Sequence, residues 1–308
     1  MEAKPVSIAL FGPTAVGKTA VAIEVADILR ARGEDPVAVS ADSMQVYDGL
    51  GTLSGAATAE EQARLEHRLI GFVPVTKPFS VGEYMPLAHA EIDAALAAGR
   101  RPIIVGGTGL YMRAALTELD LRPPPDPELR ARIQQRMEAE GPDALRAEVL
   151  ERAPHARIAP RDRNRIIRYL ELLEAGRDPD PGDTQLWTEA TRHRTLLVGL
   201  VMERPALNAR IDARMEAIAA TAGDEVRAAD AAGASPTARK AHGFEDLLRG
   251  DVEGMKLRAR QLARRQMTWM RKLGGVRIVD ATGRDAEDVA REVAHLIERP
   301  RAGTRDRV

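Results

Sequence analysis

The stretch Gly12-Pro-Thr-Ala-Val-Gly-Lys18-Thr19 directly follows an apolar run from Val6 to Phe11. An apolar strand, a glycine-rich loop ending in Lys-Thr, and an amphipathic helix over Ala20 to Arg32 together form the pattern of a phosphate-binding loop. In such a loop backbone N–H groups point at phosphate oxygens, the lysine supplies a positive charge, and the threonine hydroxyl binds Mg²⁺. The sequence therefore predicts a phosphate site at the positive end of this helix.

All residues of this loop are predicted to contact the phosphate groups of a ligand, and its last residue is also predicted to contact the metal ion, Mg²⁺. The loop residues are Gly12, Pro13, Thr14, Ala15, Val16, Gly17, Lys18 and Thr19.

Strands and helices alternate through the first third of the chain. Short apolar segments predict strands over Val37 to Ser40 and Arg101 to Val105, with a helix over Glu83 to Ala98 between them. Leu196 to Val201 resembles a strand that returns to the same sheet. This order predicts an α/β fold with a P-loop NTPase-like parallel sheet flanked by helices. In such a sheet the loops after the strands line the site.

Two breaks rich in proline and glycine, over residues 122–127 and 176–182, bracket a segment that resembles continuous helix from Glu128 to Leu173. We therefore expect a catalytic core formed by residues 1–120 and 195–298, and a helical insertion over residues 121–194. The polar tail, residues 299–308, is expected to be disordered. Further helices are expected over residues 206–222, 223–232, 238–248, 252–273 and 286–298, with a strand over 276–279.

The composition excludes several kinds of site. The chain of 308 residues has no cysteine, so it holds no disulfide, iron–sulfur cluster or thiolate zinc site. Its six histidines lack the spacing of metal ligands. The phosphate loop begins within a dozen residues of the N-terminus, and no apolar run approaches the roughly 20 residues of a membrane span. A cytosolic protein without a membrane partner is expected.

The net charge of −1 gives no global attraction for nucleic acid, but basic residues cluster locally. The segment from Met255 to Lys272 contains no acidic residue, and at helical spacing Arg260, Arg264 and Arg271 share one face. The predicted buried face holds Met255, Leu262, Trp269 and Leu273. A second arginine cluster spans residues 157–168. For either cluster alone, a solvated charged face and a nucleic-acid surface are equally good interpretations.

The acidic residues distinguish between kinds of phosphate chemistry. A nucleotide-driven motor needs an aspartate at the end of a buried strand next to the phosphate loop. The matching strand, which contains Ile103 to Val105, ends instead in Gly106-Gly-Thr108. The available acid is Asp42, after the second strand, which could act as a general base or could cap a turn beside Ser43.

Five segments in order resemble the signatures of bacterial tRNA dimethylallyltransferases, also called tRNA isopentenyltransferases or the IPP transferase family. They cover nearly the whole chain: Gly12-Pro-Thr-Ala-Val-Gly-Lys-Thr19, Asp42-Ser-Met-Gln-Val-Tyr47, Val105-Gly-Gly-Thr-Gly-Leu-Tyr111, Arg165-Ile-Ile-Arg168 and Leu262-Ala-Arg-Arg-Gln-Met-Thr-Trp269. The resemblance implies transfer of a five-carbon allyl group from dimethylallyl diphosphate to the exocyclic amine of the adenine on the 3′ side of the tRNA anticodon.

The resemblance also implies roles for individual residues. The phosphate loop would hold the diphosphate with Mg²⁺, and Asp42 would accept the proton of the attacking amine, assisted by Lys18, Thr19 and Thr108. Residues expected to contact tRNA are Asp42, Ser43, Met44, Gln45, Thr108, Arg165, Arg168, Arg260 and Arg264. The partners implied are tRNA and dimethylallyl diphosphate, and a monomer is expected.

Two segments depart from the family pattern. The chain is shorter by about two residues around Asp48 to Gly55, and it has Ala241-His-Gly-Phe-Glu245 where the family has a glycine-tyrosine-lysine motif. Both lie where acceptor contacts are expected, so a related adenylate isopentenyltransferase, which alkylates a free nucleotide, stays an alternative. A P-loop RNA-binding or motor protein and an ATP-dependent small-molecule kinase are further alternatives from other classes.

Overall fold

The structure is a computed structural model that describes residues 6–122, 126–180, 186 and 188–298. In it, strand β1, from which the phosphate loop emerges, lies inside a parallel sheet. The eight strands are β1 (Ser7–Phe11), β2 (Pro36–Ser40), β3 (Tyr47–Asp48), β4 (His67–Arg68), β5 (Val73–Pro74), β6 (Arg101–Gly106), β7 (Thr195–Val201) and β8 (Arg277–Asp280). Six of them form one sheet in the order β4-β2-β6-β1-β7-β8, and β3 pairs with β5 separately. All of these pairs are parallel.

The described residues form twelve α-helices, which connect and flank these strands. They are α1 (Lys18–Ala31), α2 (Gly51–Ser54), α3 (Ala59–Arg64), α4 (Val81–Ala97), α5 (Gly109–Leu116), α6 (Pro127–Arg152), α7 (Arg163–Glu174), α8 (Arg204–Thr221), α9 (Gly223–Ala231), α10 (Phe244–Arg249), α11 (Val252–Lys272) and α12 (Ala286–Glu298). The predicted α/β class and the parallel sheet are confirmed, with β7 returning beside β1 as expected.

The chain divides into two units, of which the larger comprises residues Met1–Leu119 and Leu186–Val308. All five residues of β1 are buried, because β6 and β7 pair with its two edges and helices α1 and α5 pack against it. Leu10 is opposite Val105 on one side and Val198 on the other. Such a strand, buried on both faces, reads in sequence as a continuous apolar run.

The smaller unit comprises Asp120–Gln185. The expected continuous helix is two helices, α6 and α7, and α6 itself is interrupted at Gly141, where φ is +82°. Ile133, Met137 and Leu145 of α6 pack with Ile166 and Leu170 of α7 in one apolar cluster. The paired helices bury the apolar positions that neither helix could bury alone.

The insertion was expected to extend to residue 194, whereas residues 188–194 belong to the larger unit. Arg192 donates its backbone N–H to the Leu116 carbonyl at 2.8 Å, and its guanidinium pairs with Asp93 on α4. His193 contacts the same carboxylate at 2.6 Å. These contacts fix the segment to the core before β7 begins.

Other differences concern short elements. The helix expected over 238–248 is a 3-10 turn at Ala238–Lys240 followed by α10, because Gly243 between them has a φ of +97°. The five elements between Tyr47 and Pro74 were not predicted, since none has more than six residues to carry a periodic pattern. The tail predicted to be disordered, residues 299–308, lies outside the described residues.

Candidate active site

The phosphate loop connects the buried end of β1 to the first turn of α1. Ala15 and Gly17 adopt positive φ values of 65° and 101°, which turn the chain sharply before the helix begins. The first N–H groups of α1 have no partner within the helix, so they are available to an anion. The Lys18 ammonium group folds back onto the loop and donates to the carbonyls of Gly12 and Pro13, at 3.0 and 2.9 Å.

A cavity of about 350 Å³ opens beside this loop. Five of the eight predicted loop residues line it, namely Thr14, Ala15, Gly17, Lys18 and Thr19. Gly12, Pro13 and Val16 are buried within the loop and hold its shape.

The segment after β2 provides the second wall of the cavity, through Asp42, Met44 and Gln45. One oxygen of the Asp42 carboxylate accepts the backbone N–H of Met44 at 2.9 Å, which is the turn cap that the sequence offered as an alternative. The other oxygen has no hydrogen bond to any described residue. Asp42 can therefore cap its turn and still present a carboxylate oxygen to a ligand.

The remaining predicted acceptor contacts have structural partners. Gln45 accepts from the Ser40 hydroxyl at 2.8 Å and donates to the Gly55 carbonyl at 3.0 Å, so it joins β2 to the end of α2. The Ser43 and Thr108 hydroxyls lie 3.3 Å apart, which brings together the loops after β2 and β6. Both belong to the larger unit, but neither lines the cavity itself.

Arg214 on α8 is a site residue that the sequence reasoning missed. Its guanidinium group lines the cavity, close above Gly55, and has no ion pair or hydrogen bond with the described part of the chain. Burial lowers the pKa of Arg214, while the negative charges of Asp42 and Glu61 oppose that shift. The sequence did contain a signal for Arg214. It lies at helical spacing between Ile211 and Ile218, which are buried, at a position that usually holds an apolar side chain.

Three more cavity residues were not predicted: Glu61, His242 and Gln266. Burial, together with the positive charge of Arg265, lowers the pKa of His242, so its imidazole is neutral near pH 7. The cavity also has apolar lining residues, among them Leu53, Met215, Ile218, Ala259 and Leu262. The cavity thus joins an anion site, a carboxylate and an apolar surface.

The two predicted tRNA contacts of the smaller unit lie on α7. Arg168 forms an ion pair at 2.9 Å with Glu171, which is buried and also pairs with Arg130 at 2.6 Å. Arg165 donates to the Arg157 carbonyl at 3.3 Å and lies over the Tyr169 ring. Within this unit Arg168 supports the packing of α6 and α7, and Arg165 is the more exposed of the two.

Helix α11 carries the basic face expected from the sequence, although its buried residues differ in part from the predicted ones. The buried positions are Met255, Ala259, Ala263, Gln266 and Met270, because neighbouring rows of the helix pack inward as well. Arg260 pairs with Asp212 of α8, which corrects the expectation that its guanidinium faces outward unpaired. Arg264 and Arg271 have no carboxylate within 4 Å among the residues described.

A groove of about 660 Å³ runs between the start of α8 and the basic face of α11. Arg204, Arg264 and Arg271 lie along it, and Leu207, Leu257, Ala263 and Met267 form apolar parts of its lining. Leu257 is 50% exposed. None of these three arginines has a carboxylate within 4 Å among the described residues, so the groove carries positive charge that local ion pairs do not balance.

The described residues contain no cluster of three or more His, Cys, Asp or Glu side chains able to hold a metal ion. Mg²⁺ is commonly held by one or two protein oxygens together with phosphate oxygens, and Thr19 in the cavity fits that arrangement. In the same part of the chain no helix has the length and apolar character needed to cross a bilayer.

Comparisons with known proteins agree on one family. A profile described as IPP transferase matches residues 45–273, and one described as isopentenyl transferase matches residues 6–71. The tRNA dimethylallyltransferase of Streptomyces avermitilis is 37% identical over 311 residues, covering 96% of this chain and 97% of that protein. That of Thermobifida fusca is 38% identical over 279 residues, covering 86% of each.

Solved structures give the same result. The crystal structure of the full-length tRNA isopentenylpyrophosphate transferase of Bacillus halodurans aligns with a TM-score of 0.69 and 29% identity, covering 95% of both chains. A eukaryotic dimethylallyltransferase acting on tRNA aligns with a TM-score of 0.73 over 97% of this chain and 81% of its own, at 20% identity, which shows a shared fold.

Lys18 makes anion binding at this site sensitive to pH. Burial lowers the pKa of Lys18 to about 8, with Asp42 opposing the shift and Arg214 adding to it. Above that pH the side chain of the free protein loses its proton and its positive charge, so pyrophosphate affinity should fall by up to about tenfold per pH unit. Calorimetric titration of pyrophosphate between pH 7 and 9.5 measures this.

The control is Lys18→Met, because pyrophosphate itself titrates in both proteins. The ratio of the wild-type affinity for pyrophosphate to that of Lys18→Met should fall toward one as the pH rises above about 8. A ratio that stays constant across the range would contradict the placement of Lys18 at the anion.

Proposed function

The chain belongs to the IPP transferase family, and from this premise we propose that it is a tRNA dimethylallyltransferase. It transfers the dimethylallyl group of dimethylallyl diphosphate to the N6 amine of the adenosine at tRNA position 37, on the 3′ side of the anticodon, and releases diphosphate. A tRNA substrate agrees with the cytosolic location predicted from the sequence.

The observation that carries this proposal is a pair of cations, Lys18 and Arg214, that share one cavity and lack a carboxylate partner within 4 Å among the described residues. Both side chains are partly withdrawn from solvent, and cations in that position without a counterion indicate an anionic ligand. The apolar wall around Met215, Ile218 and Leu262 suits a short hydrocarbon group on the same ligand. A prenyl diphosphate combines both chemical features.

The cavity supplies groups for each part of the transfer. The nitrogen–carbon bond forms while the bond between the allylic carbon and the diphosphate oxygen breaks, and the diphosphate leaves with the electron pair. Lys18, Arg214 and the N–H groups at the start of α1 stabilise the charge that develops on the leaving group. Asp42 accepts the proton that the amine nitrogen loses.

Thr19 is the residue that would hold Mg²⁺, together with the oxygens of the diphosphate. The ion, when bound, would neutralise part of the charge on the leaving group. Thr19 lies in the first turn of α1 and lines the cavity, which supports this role.

The alternatives are less well supported. Strand β6, directly beside β1, ends at Gly106 without an acidic residue, which disfavours a hydrolysis-driven motor. An acceptor that is a free nucleotide fits the relatives' names less well than tRNA. The two departures from the family pattern both reach the cavity, through Leu53 to Gly55 and through His242, so they can alter the contacts of a ligand there.

A transfer assay tests the proposal. The protein is incubated with Mg²⁺ and labelled dimethylallyl diphosphate, and either bulk tRNA lacking the modification or AMP is offered. Label should enter tRNA and should be absent from AMP. Label in AMP alone would support the free-nucleotide alternative, and ATP turnover without label transfer would support the kinase or motor.

Asp42→Asn should abolish transfer while sparing the donor site. Removal of a general base typically costs about 10² to 10⁴ in rate, and the carboxylate acts on the amine rather than on the diphosphate. Single-turnover transfer and pyrophosphate titration measure the two effects. Glu61→Gln, which neutralises the other cavity carboxylate, is the control and should retain most of the rate; near-normal turnover of Asp42→Asn would refute its role.

The groove along α11 is the proposed phosphate-contacting surface for tRNA in the larger unit. Contacts of this kind position the RNA without reading its sequence. Asp212 neutralises much of the charge of Arg260, so this arginine attracts RNA phosphate less strongly. Arg264 and Arg271 have no such pair among the described residues, so their full charge is available to RNA. Arg165 and Arg168 are proposed to add contacts from the smaller unit.

Replacing Arg264 and Arg271 together by Ala should weaken tRNA binding and flatten its salt dependence. Each lost phosphate contact should reduce the slope of log affinity against log salt by about 0.7 to 0.9. The matched control replaces Arg227 and Arg291, which are exposed and paired with carboxylates on their own helices, and removes the same charge. Equal slopes for both double variants would show that only net charge matters.

A further inference from the structure

Gln266 on α11 is buried, with 7% of its surface exposed, and both ends of its amide group are bonded to loops of the site. Its Oε1 accepts the backbone N–H of Thr14 at 2.8 Å. Its Nε2 donates to the Gly107 carbonyl at 2.9 Å. One side chain therefore connects α11 to the phosphate loop and to the loop that follows β6.

The loop after β6 is shaped to admit α11. A Cβ atom on Gly107 would come within 2.4 Å of the Gln266 amide nitrogen, and one on Gly109 within 2.3 Å of the Trp269 ring. Only glycine leaves room for this contact. The glycine-rich segment, predicted from sequence as part of the ligand site, thus serves to seat the helix as well.

The two hydrogen bonds of Gln266 fix the shape of the phosphate loop. The Thr14 N–H is bonded to the protein and is not offered to a ligand. The anion-binding groups that follow, from Gly17 to Thr19, are placed relative to this fixed point. If α11 moves, the Thr14 N–H and the Gly107 carbonyl must move with it or lose their partner, which is unfavourable for buried groups.

Helix α11 presents different residues to two sites. Ala259, Leu262 and Gln266 line the cavity beside the phosphate loop, while Arg264 and Arg271 line the groove between α8 and α11. The helix is continuous over 21 residues, so its two faces move as one body. A ligand in the groove is therefore connected to the phosphate loop through one buried amide.

We propose that Gln266 is a positioning residue that couples docking of tRNA in the groove to the affinity of the phosphate loop for diphosphate. The proposal rests on the proposed function, since it takes tRNA as the partner of the groove. Coupling of this kind is reciprocal: tRNA strengthens diphosphate binding by the same factor by which diphosphate strengthens tRNA binding.

Titration of pyrophosphate and Mg²⁺ into the full chain, with and without saturating tRNA, tests the coupling. In the wild type, tRNA should raise pyrophosphate affinity by about fivefold or more. In Gln266→Met that enhancement should fall to near one, with tRNA affinity measured alone within about twofold of the wild type. Gln261→Met, the same substitution at an exposed position of the same helix, should keep the full enhancement.

A purely structural role for Gln266 would lower the melting temperature of Gln266→Met and leave the enhancement intact, which would overturn the proposal. So would a wild type that binds tRNA and pyrophosphate independently. A wild type that transfers no prenyl group to tRNA would instead refute the proposed function.

Hydrogen exchange in the wild type gives a second measurement if Gln266→Met fails to fold. Docking of tRNA without any donor should slow exchange of the Thr14 amide, because Gln266 holds it more firmly. Unchanged exchange at Thr14 in a protein saturated with tRNA would overturn the coupling.

Discussion

The parallel pairing of β1 with β6 and β7 is the constraint from which the site follows. Because these strands run in one direction, their carboxyl ends meet at one edge of the sheet. The phosphate loop follows β1, the segment with Asp42 follows β2, and the glycine-rich segment follows β6. The sheet therefore brings together side chains that are far apart in sequence, and no direct contact between those side chains is needed for this.

The charges gathered at that edge are not balanced by local pairing. Lys18 and Arg214 are partly buried. Asp42 acts on both charges and Glu61 on that of Arg214, without ion pairs within 4 Å in the described part of the chain. Such an arrangement costs stability in the free protein, and an anion that enters the cavity repays it. In the free protein the carbonyls of Gly12 and Pro13 accept hydrogen bonds from the Lys18 ammonium group, which keeps the lysine side chain at the loop.

The sequence predicted the fold well where patterns are long or chemically distinctive. The apolar run before Gly12 predicted β1, and the motif of Lys18 and Thr19 predicted the loop and helix that follow. Arg214 and Gln266 could not be placed in the site in this way. Both lie on helices distant in sequence from the loop, and only tertiary packing brings them to it. The turn cap at Asp42 was foreseen as an alternative to catalysis, although one carboxylate can serve both.

Arginine partners distinguish functional from structural charge in this chain better than arginine density does. From the sequence alone Arg168, Arg260 and Arg264 were equally good candidates for tRNA contact, since each lies in a basic cluster. The structure pairs Arg168 with Glu171 and Arg260 with Asp212, so those two charges stabilise the packing of neighbouring helices. Arg264 keeps its charge unpaired at a groove, as Arg214 does at the cavity, and α11 lines both. A polyanion in the groove and a diphosphate in the cavity would each meet positive charge that the protein does not pair. Because α11 lines both places, one rigid helix can serve both substrates.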